Sequence, residues 1–406
     1  MANLEQHLQL LNAKFINIDA NRRSYTHHYG RLRDQLYSML RQEEPLGKWL
    51  CGHKLGGSYA DNLKVTKPDE FDLVLHLTFP ENDKIIVRKN NTRAGHVILD
   101  MTNVLKALHK QRHNEVTLVN LKNIVSRQNF LVENKLQDLI NGAVTRALNK
   151  MNKQIEVDGK VTPLVYRRCG PAFTLFINER NMKYSVDFVP AIRLKAEQNV
   201  LAQERRKYFR NISHWSAIPK PLKQFQNNNV FFRASYDEAE CAMLKGNYKL
   251  KDVIRLMKKF RDSKQNISTM KSYYIKTILL WQIDARPKNY WKTKQLHEIL
   301  IDMFRELENC LAPNGKNGKL LYFWDSKLNL FSELTEHQRN DMLNCISAVI
   351  DKLTAAATNL TDAIREDITN SFTNRLERSV EDNEEKCSHT DCEDNRFTCT
   401  IDIPHS

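Results

Sequence analysis

Two acidic residues one position apart on an apolar stretch, Glu70 and Asp72, constrain this chain more than any other feature. They lie within the segment GGSYADNLKVTKPDEFDLVLHLTFP, residues 56–80. In an extended strand the side chains alternate between two faces, so both carboxylates share one face while Phe71 and Leu73 enter a core. Hard divalent cations take oxygen ligands, and Mg²⁺ is commonly held by one or two carboxylates together with substrate phosphates. The stretch therefore predicts a strand that carries a metal and nucleotide site.

The turn that precedes this strand offers a complementary feature. Glycines at positions 56 and 57 let backbone N–H groups approach a phosphate closely, and the hydroxyl of Ser58 adds a donor. Taken singly, a Gly-Gly-Ser turn is more often a plain connection, and an acid-x-acid strand is more often a solvated sheet face. Their combination in this order favours a triphosphate bound at the turn and a metal bound by the acids.

A third carboxylate is available from a second apolar strand, KYSVDFVPAI, residues 183–192. Its alternation places Asp187 on one face and both Val186 and Phe188 on the other, and we expect the strand to end at Pro190. Paired metal ions clamp the attacking and leaving oxygens of an in-line displacement, which requires several carboxylates. Asp187 is therefore the third predicted ligand, with an edge-strand charge as the alternative.

Length and charge limit the class of protein. A chain of 406 residues with 41% apolar content is long enough for two lobes, and its net charge of +14 indicates a polyanionic partner bound with steep salt dependence. Dispersed solubilising charge is the alternative. No apolar run approaches the roughly 20 residues of a membrane span. The scattered cysteines suit a reducing compartment, so we expect a cytoplasmic protein, with the nucleus as alternative, and no membrane insertion.

Apolar periodicity predicts an N-terminal helix over residues 3–45 and a mixed sheet with helices after it. The helix buries one stripe and exposes cations on its other side. The stripe contains Tyr25, Tyr29, Leu32, Leu36 and Leu40, and the cations are Arg22, Arg23, His28, Arg31 and Arg33. Strands are expected at 85–87, 96–99, 161–168 and 172–177, and a largely helical segment at 118–148. From about residue 206 we expect helices.

The helical part contains two apolar stripes, over residues 250–260 and 296–307, which we interpret as core. Cations alternate with the first stripe and are expected to lie on the remaining surface, as a second candidate face for a polyanion. They are Lys249, Lys251, Arg255, Lys258, Lys259, Arg261 and Lys264.

The turn, the three acids and several short motifs resemble polymerase-beta-type nucleotidyltransferases. More specifically they resemble the cyclic GMP–AMP synthase (cGAS) family, closest to cGAS-like receptors of the insect type. The motifs are Gly57-Ser58-Tyr59, Lys64, Pro68, Glu70-Phe71-Asp72 to Pro80, Asn91-Thr92-Arg93-Ala94 and Arg167 to Ala172 with Thr174-Leu175. The resemblance covers most of residues 50–335.

The resemblance implies an α+β fold of two lobes. A spine helix region, 1–45, precedes a mixed-sheet nucleotidyltransferase core, 46–205, and a helical C-terminal lobe, 206–372. The last segment, 373–406, is acidic and contains Cys387, His389, Cys392 and Cys399. These four side chains could satisfy a zinc tetrahedron, but their irregular, polar spacing favours a disordered extension.

The same resemblance assigns roles to residues outside the acids. The run Lys271 to Thr277 is similar to the Ser-Tyr-x-x-Lys-Thr start of a helix in the family. It implies that Tyr273 stacks on a nucleobase while Ser272 and Lys258 contact phosphates. The run Phe232 to Tyr236 is similar to a strand whose arginine covers the base. It implies Arg233 there and Ser235 as a polar contact, beside Gly57 and Ser58 at the triphosphate.

Three departures from the family bear on substrate and activator. Gly56 replaces a threonine of vertebrate cGAS, and Asp237 replaces a serine, which puts the base pair and linkages of the product in doubt. Residues 238–251 leave no room for the zinc-binding insertion of the DNA-sensing enzyme. That shortened form is typical of receptors for double-stranded RNA, whose A-form duplex is recognised mainly by backbone and shape.

The resemblance therefore implies a dsRNA-activated synthase that makes cyclic GMP–AMP from ATP and GTP with two Mg²⁺ or Mn²⁺ ions, and that signals to a STING-type receptor in antiviral immunity. Glu70, Asp72 and Asp187 would hold the metals. RNA contacts would come from Arg22, Arg23, Arg31, Lys249, Lys251 and Arg255. RNA would reorder a mobile loop, Tyr59 to Lys67. The alternatives are a catalytically silent binding module and a synthase of linear oligonucleotides.

Overall fold

The structure, a computed structural model of the chain, describes residues 3–16, 18–90, 93–111, 114–169, 172–180, 182–220, 229–313, 315 and 318–373. The expected C-terminal extension beyond residue 373 lies outside these ranges. So do four residues of the motifs that carry the family resemblance, Asn91, Thr92, Gly170 and Pro171.

Helices and strands alternate along the first half of the chain, and helices dominate the second. The strands are β1 Leu50–Gly56, β2 Glu70–Leu77, β3 Ile86–Lys89, β4 His96–Asp100, β5 Gln154–Val157, β6 Lys160–Cys169, β7 Ala172–Asn178, β8 Lys183–Lys195, β9 His214–Pro219, β10 Phe231–Ser235, β11 Leu321–Tyr322 and β12 Asp325–Asn329. The helices are α1 Leu4–Leu11, α2 Asp19–Leu40, α3 Leu46–Trp49, α4 Gly57–Ala60, α5 Thr102–His109, α6 Glu115–Asn123, α7 Glu133–Lys150, α8 Asp237–Leu244, α9 Tyr248–Asp262, α10 Ser272–Ala285, α11 Tyr290–Thr293, α12 Leu296–Leu311, α13 Glu336–Thr358 and α14 Asp362–Phe372. None of these described helices combines the length and apolar character needed to cross a membrane.

Ten of the described strands form one mixed sheet. Eight follow the order β3-β4-β10-β9-β8-β7-β6-β5; β2 pairs in parallel with β8, and β1 pairs antiparallel with β2. The apolar residues of β2 and β8 explain this placement, since Leu73, Leu75 and Phe188 are buried on the side opposite the acids. The predicted α+β class with a mixed sheet is confirmed.

Strand β8 is longer than the sequence predicts. It passes through Pro190 and ends at Lys195. It pairs antiparallel with β7 up to Asp187 and with β9 from Ile192, so the proline lies between the two antiparallel ladders. A proline has no N–H to donate, and at this position neither antiparallel ladder requires one, although Pro190 is the register partner of Leu75 in the parallel ladder with β2.

Two hydrophobic cores divide the molecule into a sheet lobe and a helical lobe, names that we keep below. The sheet lobe contains the sheet, α2 and α7; the helical lobe contains α9, α10, α12, α13 and α14. The N-terminal region joins them, because α1 packs in the helical lobe and α2 in the sheet lobe. Glu5 of α1 accepts hydrogen bonds from the backbone N–H groups of Leu296 and His297 at the start of α12, which compensates unpaired donors there.

The region expected to be one helix over residues 3–45 is therefore divided. Helix α1 is followed by a π-helical turn, Asn12–Ile16, before α2 begins at Asp19. The predicted apolar stripe of α2 is confirmed, since Tyr29, Leu32, Leu36 and Leu40 are buried.

Strands β9 and β10 extend the sheet beyond residue 206, where the sequence suggested that helices begin. Both are short, and in β9 the successive residues Trp215, Ser216 and Ala217 are all buried. Because strict alternation is absent, strand periodicity does not reveal β9. The predicted arginine strand β10 therefore belongs to the same sheet as the three predicted acids.

Three cationic positions expected on the surface are buried. His28 is 6% exposed and its ring nitrogens pair with the hydroxyls of Tyr184, at 2.7 Å, and Thr162, at 3.3 Å. Lys258 and Lys259 are 5% and 2% exposed. The prediction of surface positions was wrong for these three. His28 is covered by Tyr184 and Thr162 of the sheet, whereas the loop before β2 covers that side of α9 and provides oxygens to both lysines.

Candidate active site

The predicted acids lie together on one face of the sheet. Asp72 of β2 and Asp187 of β8 are partners in register in the parallel pair, and Glu70 lies two residues earlier on the same face of β2. Residues paired across a sheet share a face. We call this surface the acid face.

The arginine strand contributes to the same face. The β8–β9 pairing aligns Arg193 with Ser216, and the β9–β10 pairing aligns Ser216 with Ser235. Since Arg193 and Asp187 are six residues apart on one strand, their side chains point the same way. Arg233 and Ser235 therefore lie on the acid face, as the resemblance required.

The Asp187 carboxylate is oriented by its neighbour on β7. Thr174 is buried and donates a hydrogen bond of 2.6 Å from Oγ1 to Asp187 Oδ1. One carboxylate oxygen is thereby fixed, while Oδ2 remains directed away from that bond. The threonine is a residue whose role the sequence did not indicate beyond its place in a family motif.

Asp72 is the acid whose ionisation is most disfavoured. Burial, together with the nearby carboxylates of Glu70 and Asp187, raises its pKa to about 6. Clustered carboxylates repel each other in this way until a cation neutralises them. The donor set and its electrostatics therefore fit a divalent cation.

Glu70 is directed toward a lysine instead of toward the other two acids. Lys64 lies 2.9 Å from Glu70 Oε2 and 3.0 Å from Asp69 Oδ1. Within the described ranges, no three His, Cys, Asp or Glu side chains converge on a point where they could hold a metal ion. Glu70 would have to leave Lys64 to complete a three-carboxylate site.

The turn after β1 brings the glycine–serine pair against Asp72. Gly56 is paired with Asp72 in the β1–β2 ladder, and α4 begins at Gly57, whose φ is +62°. A Cβ placed on Gly57 would lie 1.7 Å from Asp72 Oδ2. The carboxylate thus occupies the space that any side chain at 57 would need. At Gly56 a Cβ would lie 2.7 Å from Val74 Cγ2, which explains locally why the threonine of vertebrate relatives is absent.

A cavity of about 270 Å³ opens beside this turn and is bordered by both lobes. Three predicted nucleotide contacts, Ser58, Lys258 and Ser272, and the acid Glu70 line it. The other lining residues are Lys64, Val65, Thr66, Lys67, Asp69, Arg261 and Asp262. Four cations border the cavity, which suits a polyanionic ligand such as a triphosphate.

Lys258 and Arg261 lie one turn apart on the cavity side of α9. Lys258 Nζ donates to the Leu63 carbonyl oxygen at 2.6 Å, and Arg261 Nη1 donates to Ser272 Oγ at 2.6 Å. Burial, together with the neighbouring cations Arg261 and Lys64, lowers the pKa of Lys258 to about 8. An anion in the cavity would relieve that repulsion.

The two predicted base contacts lie near each other, with a tyrosine between them that the sequence did not indicate. The Arg233 guanidinium is 4.5 Å from the ring centre of Tyr322, and the Tyr322 and Tyr273 rings are 6.1 Å apart. The hydroxyl of Tyr273 donates to buried Glu240 at 2.6 Å, while part of its ring remains accessible. Asp237, a departure from the family, forms an ion pair with Lys54.

Besides Thr174, three residues of the site were not predicted from the sequence or were predicted to have another role. Arg261 was assigned to the surface, because the cations of α9 could not be divided between faces without knowing what covers the helix. Lys64 was noted only as part of a motif. Tyr322 lies far along the chain with no distinguishing pattern.

The loop that follows the turn is anchored in both lobes. Leu63 and Val65 are buried in the core of the helical lobe, and Arg22 and Thr26 of α2 contact Asn62 and Tyr59. We expected this loop to be a mobile element because of its polar composition. In this structure Leu63 and Val65 fix one part of the loop in that core, and its mobility stays a prediction.

The predicted RNA contacts are unequally placed. Arg23 and Arg31 are exposed on α2. Three are engaged within the protein: Arg22 with Asn62, Lys249 with the carbonyl oxygens of Lys292 and Lys294, and Arg255 with Asp252. Lys251 is half-buried and close enough to Asp61 to help lower that carboxyl's pKa. The basic sides of α2 and α9 therefore meet at the loop.

Family comparisons agree with this architecture. Residues 59–246 match the Mab-21 protein nucleotidyltransferase domain, and residues 249–348 match the Mab-21 protein HhH/H2TH-like domain. The first match contains the acid face and the arginine strand; the second contains α9 and α10.

Several curated insect proteins are similar over most of their length. A "Cyclic GMP-AMP synthase-like receptor 1" of Drosophila simulans is 47% identical over 84% of this chain and 86% of its own. The protein of the same name from Drosophila erecta is 44% identical over 91% of this chain and 82% of its own. The one from Drosophila melanogaster is 46% identical over 84% of this chain and 90% of its own.

Proposed function

Because this chain belongs to the cyclic GMP–AMP synthase-like receptors and carries a Mab-21 nucleotidyltransferase domain, we propose that it condenses ATP and GTP into cyclic GMP–AMP when double-stranded RNA binds. The product would activate a STING-type receptor in antiviral innate immunity. We place this activity in the cytoplasm.

The observation that carries the proposal is the pairing of Asp72 with Asp187 beside a two-lobed cationic cavity. Mg²⁺ or Mn²⁺, bound by these two acids and Glu70, would lower the pKa of an attacking ribose hydroxyl and neutralise the pyrophosphate leaving group. That combination of acids and phosphate-binding cations is the requirement of phosphoryl transfer, in which positioning and electrostatics supply most of the catalysis.

The protein's own residues divide the remaining tasks. Asp187, oriented by Thr174, is placed to accept the proton of the attacking hydroxyl. Ser58, Lys258 and Ser272 would hold the triphosphate in the cavity. Arg233 and Tyr273 would contact the bases, since a planar guanidinium and an aromatic face both stack on a nucleobase.

Double-stranded RNA is favoured as activator for two reasons. The net charge is +14, and exposed arginines lie on α2. Helix α8 ends at Leu244 and α9 begins at Tyr248, so three residues occupy the place of the zinc-binding insertion of the DNA-sensing enzyme. Proteins recognise an A-form duplex mainly through its shape and its phosphates, and less through the base edges.

The loop provides a route from RNA to the catalytic site. Arg22 contacts Asn62, Lys251 lies near Asp61, and this loop leads from Ser58 to Glu70. An RNA bound across α2 and α9 would contact the side chains that hold the loop, and could shift the population toward a state in which Glu70 leaves Lys64.

Product analysis separates this proposal from its two alternatives. Labelled ATP and GTP are incubated with the protein, Mg²⁺ or Mn²⁺ and long dsRNA, and the product is treated with phosphatase. A phosphatase-resistant compound containing one adenosine and one guanosine supports a cyclic synthase. Phosphatase-sensitive oligomers would indicate a linear synthase, and unchanged nucleotides a silent binding module.

Triphosphate binding should depend on pH through Lys258. Its pKa of about 8 in the free protein means that the ammonium is present below pH 8 and lost above it. Nucleotide affinity should therefore fall as pH rises from 7 to 9, by up to about tenfold. Calorimetric titration of a non-hydrolysable ATP analogue should show this slope in the wild type and a flatter one in Lys258→Gln. Parallel slopes in the two proteins would remove Lys258 from the phosphate site.

Charge reversal on α2 should weaken RNA binding. The double variant Arg23→Glu/Arg31→Glu is expected to reduce dsRNA affinity at least tenfold and to lower the salt dependence of binding by about one unit per lost contact. The control is Lys122→Glu, an exposed cation on α6, a helix that packs on α5. Equal losses in the two variants would indicate a diffuse charge effect and would exclude α2 as a specific RNA surface.

A further inference from the structure

Lys276 is buried in a cluster of ionic groups that no part of the proposed chemistry uses. It lies on α10, and its ammonium is 2.9 Å from Asp61 Oδ2 and 2.8 Å from Glu240 Oε2. The side chains of Lys276, Asp61 and Glu240 are 14%, 10% and 6% exposed. We call these three residues the ion triad.

Lys276 and Asp61 remain ionised despite their burial. Desolvation alone would lower the pKa of Lys276, but the carboxylates of Glu240 and Asp61 outweigh it and raise the pKa above its ordinary value. For Asp61, burial opposes ionisation, yet Lys276 and a hydrogen bond from Cys241 bring the pKa below normal. Two carboxylates thus share one ammonium.

Each member of the triad belongs to a different nucleotide-contacting segment. Asp61 ends α4, the short helix that begins with Gly57 and Ser58, and its N–H bonds to the Gly57 carbonyl oxygen at 3.3 Å. Glu240 lies on α8, which directly follows the arginine strand β10. Lys276 is on the helix that begins with Ser272.

Glu240 also fixes the ring of the predicted base-stacking residue. Its Oε1 accepts the Tyr273 hydroxyl at 2.6 Å and the indole N–H of Trp324 at 2.9 Å. Tyr273 and Lys276 are three residues apart on α10, so they share one side of the helix. Glu240 orients Tyr273, and Asp61 lies at the end of α4. Lys276 pairs with both carboxylates and so connects these two elements.

We infer that Lys276 is a positioning residue that holds the triphosphate turn, the arginine strand and the base-stacking tyrosine in one relative geometry. The inference rests on the proposed function for its catalytic meaning. A substitution of Asp61 or Glu240 should therefore alter both the triphosphate turn, residues 57–63, and the start of α10, residues 272–277.

Substitutions that remove one carboxylate of the triad should leave the protein able to fold. With one ammonium and two carboxylates, Asp61→Asn or Glu240→Gln leaves a neutral pair, and neither substitution strands a buried charge. Lys276→Met, in contrast, leaves two buried carboxylates without a cation and is a poor test. The control is Asp367→Asn, which breaks the ion pair of Asp367 with Lys352 between α13 and α14.

The experiment measures amide hydrogen exchange and nucleotide kinetics in the same proteins. In Asp61→Asn we expect faster exchange at residues 57–63 and also at 272–277, with a melting temperature close to that of the wild type. Glu240→Gln should affect the same two segments. The apparent KM for ATP and GTP should rise about tenfold in each, while the RNA concentration giving half-maximal activity stays unchanged in Glu240→Gln, whose residue lies outside the loop that we propose RNA contacts.

Two results would overturn the inference. The first is a change of exchange confined to the segment that carries the substitution. The second is a decrease in kcat and in melting temperature with an unchanged KM. That result would indicate a general loss of stability. If wild-type protein forms no product, the proposed function fails, and the exchange data still decide whether the triad couples the two segments.

Discussion

Asp72→Asn is expected to abolish nucleotidyl transfer while making the metal-free protein more stable. Asparagine keeps the shape of the side chain but removes a charge that two neighbouring carboxylates and burial disfavour. Loss of a metal ligand removes several kcal/mol of transition-state stabilisation, which corresponds to a decrease of about 10³-fold in kcat. The measurement is product formation at saturating nucleotide and RNA.

The stability change has a defined sign. The Asp72 pKa is about 6 in the folded protein and 3.8 in an unperturbed carboxyl, so between these values the folded state binds more protons than the unfolded state. Stability therefore falls as pH rises from 4 to 6, and above pH 6 the whole penalty, about 3 kcal/mol, is present. Urea unfolding in chelator at pH 7.5 should show Asp72→Asn to be the more stable protein.

The control for this prediction is Asp83→Asn, on the exposed turn after β2. It should change neither activity nor the pH dependence of unfolding. An Asp72→Asn protein that retains most of its activity would exclude Asp72 as a metal ligand. One that is destabilised at pH 7.5 would show that its carboxylate is stabilised by a partner absent from this structure.

Gly57→Ala should greatly lower activity through a single added methyl group. The added Cβ would lie 1.7 Å from Asp72 Oδ2, and the backbone at 57 has a φ of +62°. The methyl group must displace either the turn or the carboxylate, and a shift of about 1 Å in a catalytic group costs about 10²-fold in rate. We expect that loss in kcat, together with roughly 1–2 kcal/mol of unfolding free energy from the left-handed backbone.

The protein contains a matched control for the backbone term. Gly159 has a φ of +76° in the β5–β6 turn, and nothing lies within 4 Å of a Cβ placed there. Gly159→Ala should therefore show a similar loss of unfolding free energy with unchanged kcat. If both variants lose activity to the same extent, backbone strain and not the contact with Asp72 explains the effect.

The face on which the predicted catalytic acids lie could be assigned from sequence because strand alternation is a local property. Glu70, Asp72 and Asp187 each stand in short apolar runs, and period-two patterning assigns their face without knowledge of the fold. That Asp72 and Asp187 are register partners required the structure. Sequence separation gives no information on which strands become neighbours.

The cavity side of α9 could not be predicted, because it depends on which distant segment packs over the helix and no local sequence pattern contains that information. Lys258 and Arg261 follow helical periodicity as surface cations, yet the loop carrying Leu63 and Val65 lies over them and turns their side of α9 into a cavity wall. The same loop was expected to be mobile because its composition is polar and glycines flank it. Its burial follows from the helical lobe that receives it.

The most direct test of the account is formation of phosphatase-resistant product from α-labelled ATP and GTP with Mg²⁺ or Mn²⁺, in the presence of long dsRNA, dsDNA of equal length, or neither. The account predicts cyclic product with dsRNA alone and none from the Glu70→Ala/Asp72→Ala variant. No product under any condition, from protein that binds dsRNA in a salt-dependent manner, would contradict it and indicate a nucleic-acid-binding module.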